Sequence, residues 1–220
     1  MATINVYRNK LKAAARFAAV KDVRFVLKGI LIESNPMQTR VIGCDGHTLF
    51  ASRDDAKGDN AGSFTGIMPA DTVKAILAWK APYKSANDTP VILTTSDDPA
   101  GEHRAEWCGN ICIFKLIDGK FPDYMRVVPA TLDAGISFFQ PEYLLRCTKA
   151  AIDLNTSAKG MFAFKCAQDG TGIAVFSPQS FAVIMPIKTT VADVADVAWA
   201  REALPASVAE PVAEPVAAAA

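Results

Sequence analysis

The chain has 220 residues, half of them hydrophobic, and its 23 basic residues are matched by 23 acidic ones. That length holds one large domain or two smaller ones with their own cores, and the balanced charge gives no argument by itself for a nucleic-acid partner, leaving any phosphate-binding surface to local clustering. Five cysteines without framework spacing exclude a disulfide scaffold and point to reduced thiols in the cytoplasm; no run of about 18 apolar residues marks a membrane span, and MATINVYRNKLKAAARF carries no secretory pattern.

In chain order, TINVYR alternates as a strand, and the Ala-rich NKLKAAARFAAV predicts a helix with Asn9 as its N-cap. VRFVLKGILIES, TRVIGCDGHTLFASR and SFTGIMP follow as strands, with Asp45-Gly46 as a tight turn. PADTVKAILAWKA predicts a second helix opening at Pro69 and Asp71. TPVILTTSDD, HRAEWC and ICIFKLID are strands, the last two joined through Gly109-Asn110. The order then repeats: GISFFQ as a strand, PEYLLRCTKAAIDL as a helix opening at Pro141, and KGMFAFKCA, TGIAVFS and SFAVIMPIK as strands. Strand, helix and three strands thus occur three times, with a period of about sixty residues. VADVADVAWAREAL reads as a weak helix, and PASVAEPVAEPVAAAA as a flexible low-complexity tail.

Each helix must bury one face on its sheet. The stripes Leu11, Ala14, Ala15, Ala18 in the first helix, Val73, Ile76, Leu77 in the second and Leu144, Leu145, Thr148, Ile152 in the third are expected inside. That leaves Lys12 and Arg16, Lys74 and Lys80, and Arg146 and Lys149 pointing outward. A basic helix face is ordinarily a solvated one; repeated three times, it also suits the tracking of phosphates.

No catalytic constellation stands out. Cys44, Asp45, Gly46 and His47 place a thiol, a carboxylate and an imidazole in sequence, but neighbours in a tight turn need not converge. With Gly109-Asn110 as the loop, Cys108 and Cys112 fall on opposite faces of a hairpin, and no second pair completes a zinc site. No glycine-rich phosphate loop is present. Neither metal nor cofactor is expected. KLIDGKFPDYMRVVP raises a different question: Phe121, Tyr124, Val127 and Val128 are apolar, while Pro122 and Pro129 forbid regular structure through them. An apolar connector is either buried between units or covered by something else.

DVRFVLKGILIE, CDGHTLFAS, LIDGKFPDYMRVVP and the late FAVIMPIK, in that order, resemble the bacterial DNA polymerase III beta sliding clamp family. The resemblance runs from about Ile4 to Lys188. It implies an α+β DNA-clamp fold, with repeated β-α-β-β-β units and helices on one face of antiparallel sheets. Residues 1–130 then form a complete domain of two units resembling the family's middle domain. Residues 131–190 form half a domain resembling the end of its last one, and 191–220 a flexible Ala/Pro-rich tail. The family's rings contain twelve units, so three per chain imply a homotetramer, the half-domain pairing with a copy of itself.

The resemblance also implies a non-enzymatic processivity factor that encircles duplex DNA and binds short peptides of polymerases and other proteins in an apolar groove. The implied groove residues are Leu27, Cys44, Gly46, His47, Thr48, Leu49, Pro122, Arg126, Val127, Val183, Ile184, Met185, Pro186 and Ile187. Cys44 and Thr48 depart from the family's usual residues. Non-specific phosphate contacts are expected from Lys12, Arg16, Lys21, Arg24, Lys74, Lys80, Arg146 and Lys149. The competing readings are a clamp-like peptide-binding module that forms no ring, and an enzyme built on Cys44 and His47. The partners are double-stranded DNA, peptide-bearing proteins and further copies of the chain, with no membrane involved.

Overall fold

The computed structural model describes residues 1–187 apart from 57, 84–87, 99, 132–136 and 156–158. The expected weak helix after residue 190 and the tail lie outside the described residues. The first unit comprises β1 (Thr3–Val6), α1 (Arg8–Ala15), β2 (Gly29–Asn35), β3 (Gln38–Cys44) and β4 (Thr48–Asp55). The second comprises β5 (Phe64–Pro69), α2 (Ala70–Ala78), β6 (Val91–Thr94), β7 (His103–Trp107) and β8 (Asn110–Phe114). The third has α3 (Pro141–Asp153), β9 (Ala163–Cys166), β10 (Gly172–Ser177) and β11 (Ser180–Ile184).

Two antiparallel sheets result, in the orders β1-β6-β7-β8 and β5-β2-β3-β4-β11-β10-β9. The first two units exchange their opening strands: β1 pairs with β6 of the second unit, and β5 with β2 of the first. The first and third units join differently. Their last strands lie side by side, Leu49 opposite Val183 and Phe50 opposite Ala182.

The central strands read as near-continuous apolar runs because both faces of the long sheet are covered. Ile30, Ile32, Val41, Phe50, Ala182 and Ile184 face the helices. Leu31, Ile42, Leu49, Ala51 and Val183 face the other way, into a second core closed by Phe121 and Tyr124. On the helix side the rings of Phe17, Phe50 and Phe176 run from the first unit to the third, with centroids 5.6 and 6.0 Å apart. α1 packs against both α2 and α3. Arg8, in the first turn of α1, donates to the carbonyls of Leu77 and Trp79 at the end of α2, at 3.0 and 2.9 Å, satisfying carbonyls that a helix terminus leaves open.

Four local expectations are corrected. The N-cap of α1 is Tyr7, not Asn9; the Asn9 side-chain carbonyl accepts instead from the adjacent Lys10 N–H at 2.8 Å, inside the first turn. The β7–β8 loop is Cys108-Gly109, with Trp107 opposite Asn110. Both loop residues take positive φ, 47° and 81°, as a two-residue turn matched to strand twist requires. On α3 the buried residues are Tyr143, Cys147, Ala150, Ala151 and Asp153, while Leu145 and Ile152 are exposed. The helix is rotated from the expected stripe, and Arg146 is turned toward an acidic partner on the first unit. Finally, GISFFQ makes no strand among its described residues; Phe138 forms a single bridge to Ile187.

α1 lies so close to β3 that a Cβ at Gly43 would sit 2.1 Å from the Ala14 carbonyl oxygen. The obstacle is backbone, which cannot rotate aside. Gly43→Ala is expected to destabilise the fold by about 1–3 kcal/mol through overpacking, read as a lower urea midpoint with an unchanged slope.

Candidate functional site

The connector LIDGKFPDYMRVVP lies against the sheet face opposite the helices. Phe121 and Tyr124 are its buried anchors. The Tyr124 hydroxyl donates to Glu33 on β2 at 2.7 Å and accepts from Arg40 on β3 at 3.5 Å. Burial, and then the Glu33 carboxylate beside it, push its phenol above the ordinary value. Tyr124 was missed as a site residue; its spacing within KFPDY, an aromatic two residues after Pro122 in a segment that cannot be a strand, is the signal that marks it. Two depressions flank it. One of about 920 Å³ is lined by Leu31, Ile67, Ile117, Phe121 and Pro122. The other, of about 650 Å³, is lined by Ile42, Ala51, Val128, Pro129 and Phe181. The exposed Met125 borders both.

Of the residues expected in the groove, Leu27, Leu49, Val183 and half-buried Cys44 share the outer core. The Met185 N–H donates to the His47 carbonyl at 3.0 Å, so the β11–β4 pairing continues beyond the strands and carries the end of the third unit alongside the CDGH turn. Val127, Met185 and Ile187 are exposed apolar side chains, with Pro186 partly covered and His47 in solvent. Gly46 takes φ 90° and lies beneath the Arg24 guanidinium. Arg126 points into solvent and pairs with Asp123 at 2.9 Å. Pro122 borders the larger depression. Thr48 and Ile184 lie on the other face. They stand opposite one another in the sheet, Ile184 inside the helix-side core and Thr48 beneath Arg146. Side chains alternate along a strand, so two residues flanking Leu49 and Val183 cannot share their wall.

The CDGH turn is built for structure, not nucleophilic attack. Burial is the main influence on Cys44 and raises its thiol pKa, although the Gly46 N–H donates to the sulfur at 3.3 Å. Asp45 accepts from the backbone N–H groups of His47 and Thr48 at 2.9 and 2.7 Å and from the Thr48 hydroxyl at 3.0 Å. Its second oxygen takes Arg146 of α3, which is also bound by Glu142 at 2.7 Å. Burial acts to raise the Asp45 pKa, but these donors outweigh it and hold the carboxyl below its ordinary value.

The expected phosphate-contacting cations separate into two groups. Lys12 at 3.0 Å and Arg16 both hold Asp153, a carboxylate only 3% exposed, and so tie α1 to α3. Arg24 pairs with Asp22 at 2.7 Å, Lys74 with Asp71 at 3.0 Å, and Arg146 with Asp45 and Glu142. Lys21, Lys80 and Lys149 have no acidic partner within 4.0 Å among the described residues. The helix side also contains a depression of about 700 Å³ where Lys12, Arg16, Lys21 and Arg146 mix with Asp22, Asp45 and Glu142. Among the described residues no group of three His, Cys, Asp or Glu side chains is placed to hold a metal. No described helix is long and apolar enough to cross a membrane.

Asp45→Asn keeps the turn's shape but removes the charge that holds Arg146. It is expected to cost about 1–3 kcal/mol at neutral pH. The Asp45 pKa is lowered on folding, so its contribution is present above the unfolded value near 4 and is lost as the pH falls through the folded value. Urea midpoints of wild type and Asp45→Asn should therefore differ at neutral pH and converge below about pH 4.

No family model matches the chain. The beta sliding clamp of Escherichia coli strain K12 is 29% identical over 157 residues, covering 69% of this chain and 40% of that protein. That of Pseudomonas aeruginosa is 33% identical over 117 residues, covering 50% of this chain and 28% of its own. The matches thus span well under half of these relatives. Among solved structures, the Helicobacter pylori beta clamp bound to a DNA ligase peptide aligns with a TM-score of 0.63 at 15% identity, over 86% of this chain and 66% of that one. The DNA polymerase III beta subunit of Thermotoga maritima gives 0.62 at 12%, over the same shares. At such identity these likenesses speak for the fold alone. The sequence matches, the repeated strand-and-helix units and the shared fold together make this chain a homologue of the bacterial beta sliding clamp.

Proposed function

We propose that the chain is a sliding-clamp-like processivity factor: a ring segment that encircles duplex DNA with further copies of itself and holds polymerase peptides in the groove beside the β4–β11 join. The observation that carries this reading is the seven-stranded sheet running unbroken from the first unit into the third, with α1 packed against both α2 and α3 on one side and an apolar connector on the other. Helices inside and sheets outside suit a wall that faces DNA on one side and proteins on the other. On the domain plan expected from the sequence, four copies of three units close a ring of twelve. Two of the four edge strands carry exposed apolar residues, Ile111 and Ile113 on β8 and Phe164 on β9. The role is non-catalytic: the geometry offers positioning and tethering.

Peptide binding would use the exposed Met185 and Val127 against the buried floor of Leu27, Leu49 and Val183. Met side chains adapt to varied apolar partners, and the H. pylori clamp is seen with a ligase peptide. A second reading, a clamp-like module that binds peptides without encircling DNA, is favoured by one observation: five of the eight expected cations are already paired with acids.

Two experiments test the proposal. A fluorescent peptide carrying Leu and Phe anchors should bind in the micromolar range, and Met185→Arg should weaken it by tenfold or more without lowering the melting temperature, because Met185 is exposed. Equal affinity would remove the groove assignment. The DNA test uses the triple variant Lys21→Ala, Lys80→Ala and Lys149→Ala, which spares the α1–α3 ties. Its log affinity against log salt should be flatter by up to about 2.7 if each lysine neutralises one phosphate. Retention on circular but not linearised plasmid separates the ring from the module.

A further inference from the structure

We propose that the third unit is completed by a second copy of this chain, through a two-fold exchange of opening strands that rebuilds the fold of the first two units. The inference rests on the ring-segment reading and names one surface by which segments join.

The chain states its own rule for closing a unit. The residue just before each helix N-cap, Val6 before Tyr7 and Met68 before Pro69, pairs with the other unit's second strand, at Val91 and Ile30. In the third unit the N-cap is Gln140, so the corresponding residue is Phe139. The correspondence has an internal check. Two residues before the N-cap, Ile67 bridges to Ile117, three residues past the end of β8; Phe138 likewise bridges to Ile187, three residues past the end of β11. The second strands align by the same logic, since Leu93 opposite Ala105 on β7 becomes Phe164 opposite Ala174 on β10.

Both complete pairings therefore give one register for the missing one: Phe139 opposite Phe162, and Phe138 opposite Ala163. Within one chain this pairing is not made. β9 ends its sheet, and the segment before α3 forms only the single bridge among the described residues. Side chains that the rule should bury are open. Leu93 is 1% exposed but Phe164 is 37%, and Ile67 is 3% exposed but Phe138 is 41%. Phe139, Phe164, Phe162 and Phe176 form a chain of edge-on rings with centroids 5.3 to 6.4 Å apart that ends at this edge. A second copy brings an identical chain of rings, and antiparallel exchange is self-complementary, as a two-fold interface requires. An open apolar strand edge otherwise invites uncontrolled pairing.

The test mixes two full-length variants, one with Phe138→Cys and one with Ala163→Cys, each in a background of Cys108→Ser and Cys166→Ser. Directly opposed residues lie within disulfide reach. Oxidation should give a disulfide-linked pair of different chains, formed many-fold faster than when Gln140→Cys replaces Phe138→Cys. Sedimentation of the unaltered chain should show even-numbered species across a concentration series. A monomer throughout, or equal cross-linking of both pairs, overturns the exchange. So does a monomer whose β9 amides resist hydrogen exchange, which would assign the edge to residues 188–220 of the same chain. The two proposals fail separately: in-register cross-linking without retention on circular DNA removes the ring, and retention without cross-linking removes the exchange.

Discussion

Much of the molecule depends on one pairing, that of β4 with β11. It joins residues more than a hundred positions apart in the chain and turns two short sheets into one. Once β11 lies against β4, Val183 must enter the outer core beside Leu49, Ile184 must enter the helix-side core, and the backbone beyond β11 must follow the CDGH turn to the Met185–His47 hydrogen bond. The apolar surface beside the turn is a by-product of this geometry. The sheet continues, but the chain that covers its outer face does not.

The helix side secures the same join with charge. Asp153 on α3 is almost fully buried and is held by two cations of α1. Asp45 on the first unit is held by a cation of α3. A carboxylate removed from water needs such partners, and removing one partner costs more than the pair itself contributes. These ties explain why basic residues that look available for phosphates in the sequence are occupied in the fold. The same side chain cannot fully serve an internal acid and an external one, so in the proposed role phosphate contact would fall to the lysines left over.

The repeat, the three helices and most strands were legible because each follows a single period, and the family resemblance was carried by short segments whose order is kept. What was not legible depended on partners distant in sequence. The rotation of α3 is accompanied by the Asp45–Arg146 pair, about a hundred residues apart, and no local pattern reveals it. The β7–β8 turn was misplaced by one residue because Cys108 takes a positive φ usually left to Gly or Asn. The segments expected to line a groove do not act as units, because their side chains divide between the two faces of the sheet. Leu27, Leu49 and Val183 share a wall, whereas Thr48 and Ile184, read from the same segments, face the helices. The connector's anchors, Phe121 and Tyr124, were visible as apolar residues whose purpose the sequence left open.

The antiparallel join between last strands has a geometric consequence. Two antiparallel neighbours in a sheet are related by a local two-fold axis normal to the sheet, and the opening-strand exchange has the same symmetry. With sheets on the outside of a ring, such axes point along its radius. A rotation about a radius exchanges the top of the ring with the bottom. The proposed ring, if joined only in this way, would therefore have no polarity: successive copies would present the apolar surface beside the CDGH turn alternately up and down, and its two faces would be equivalent.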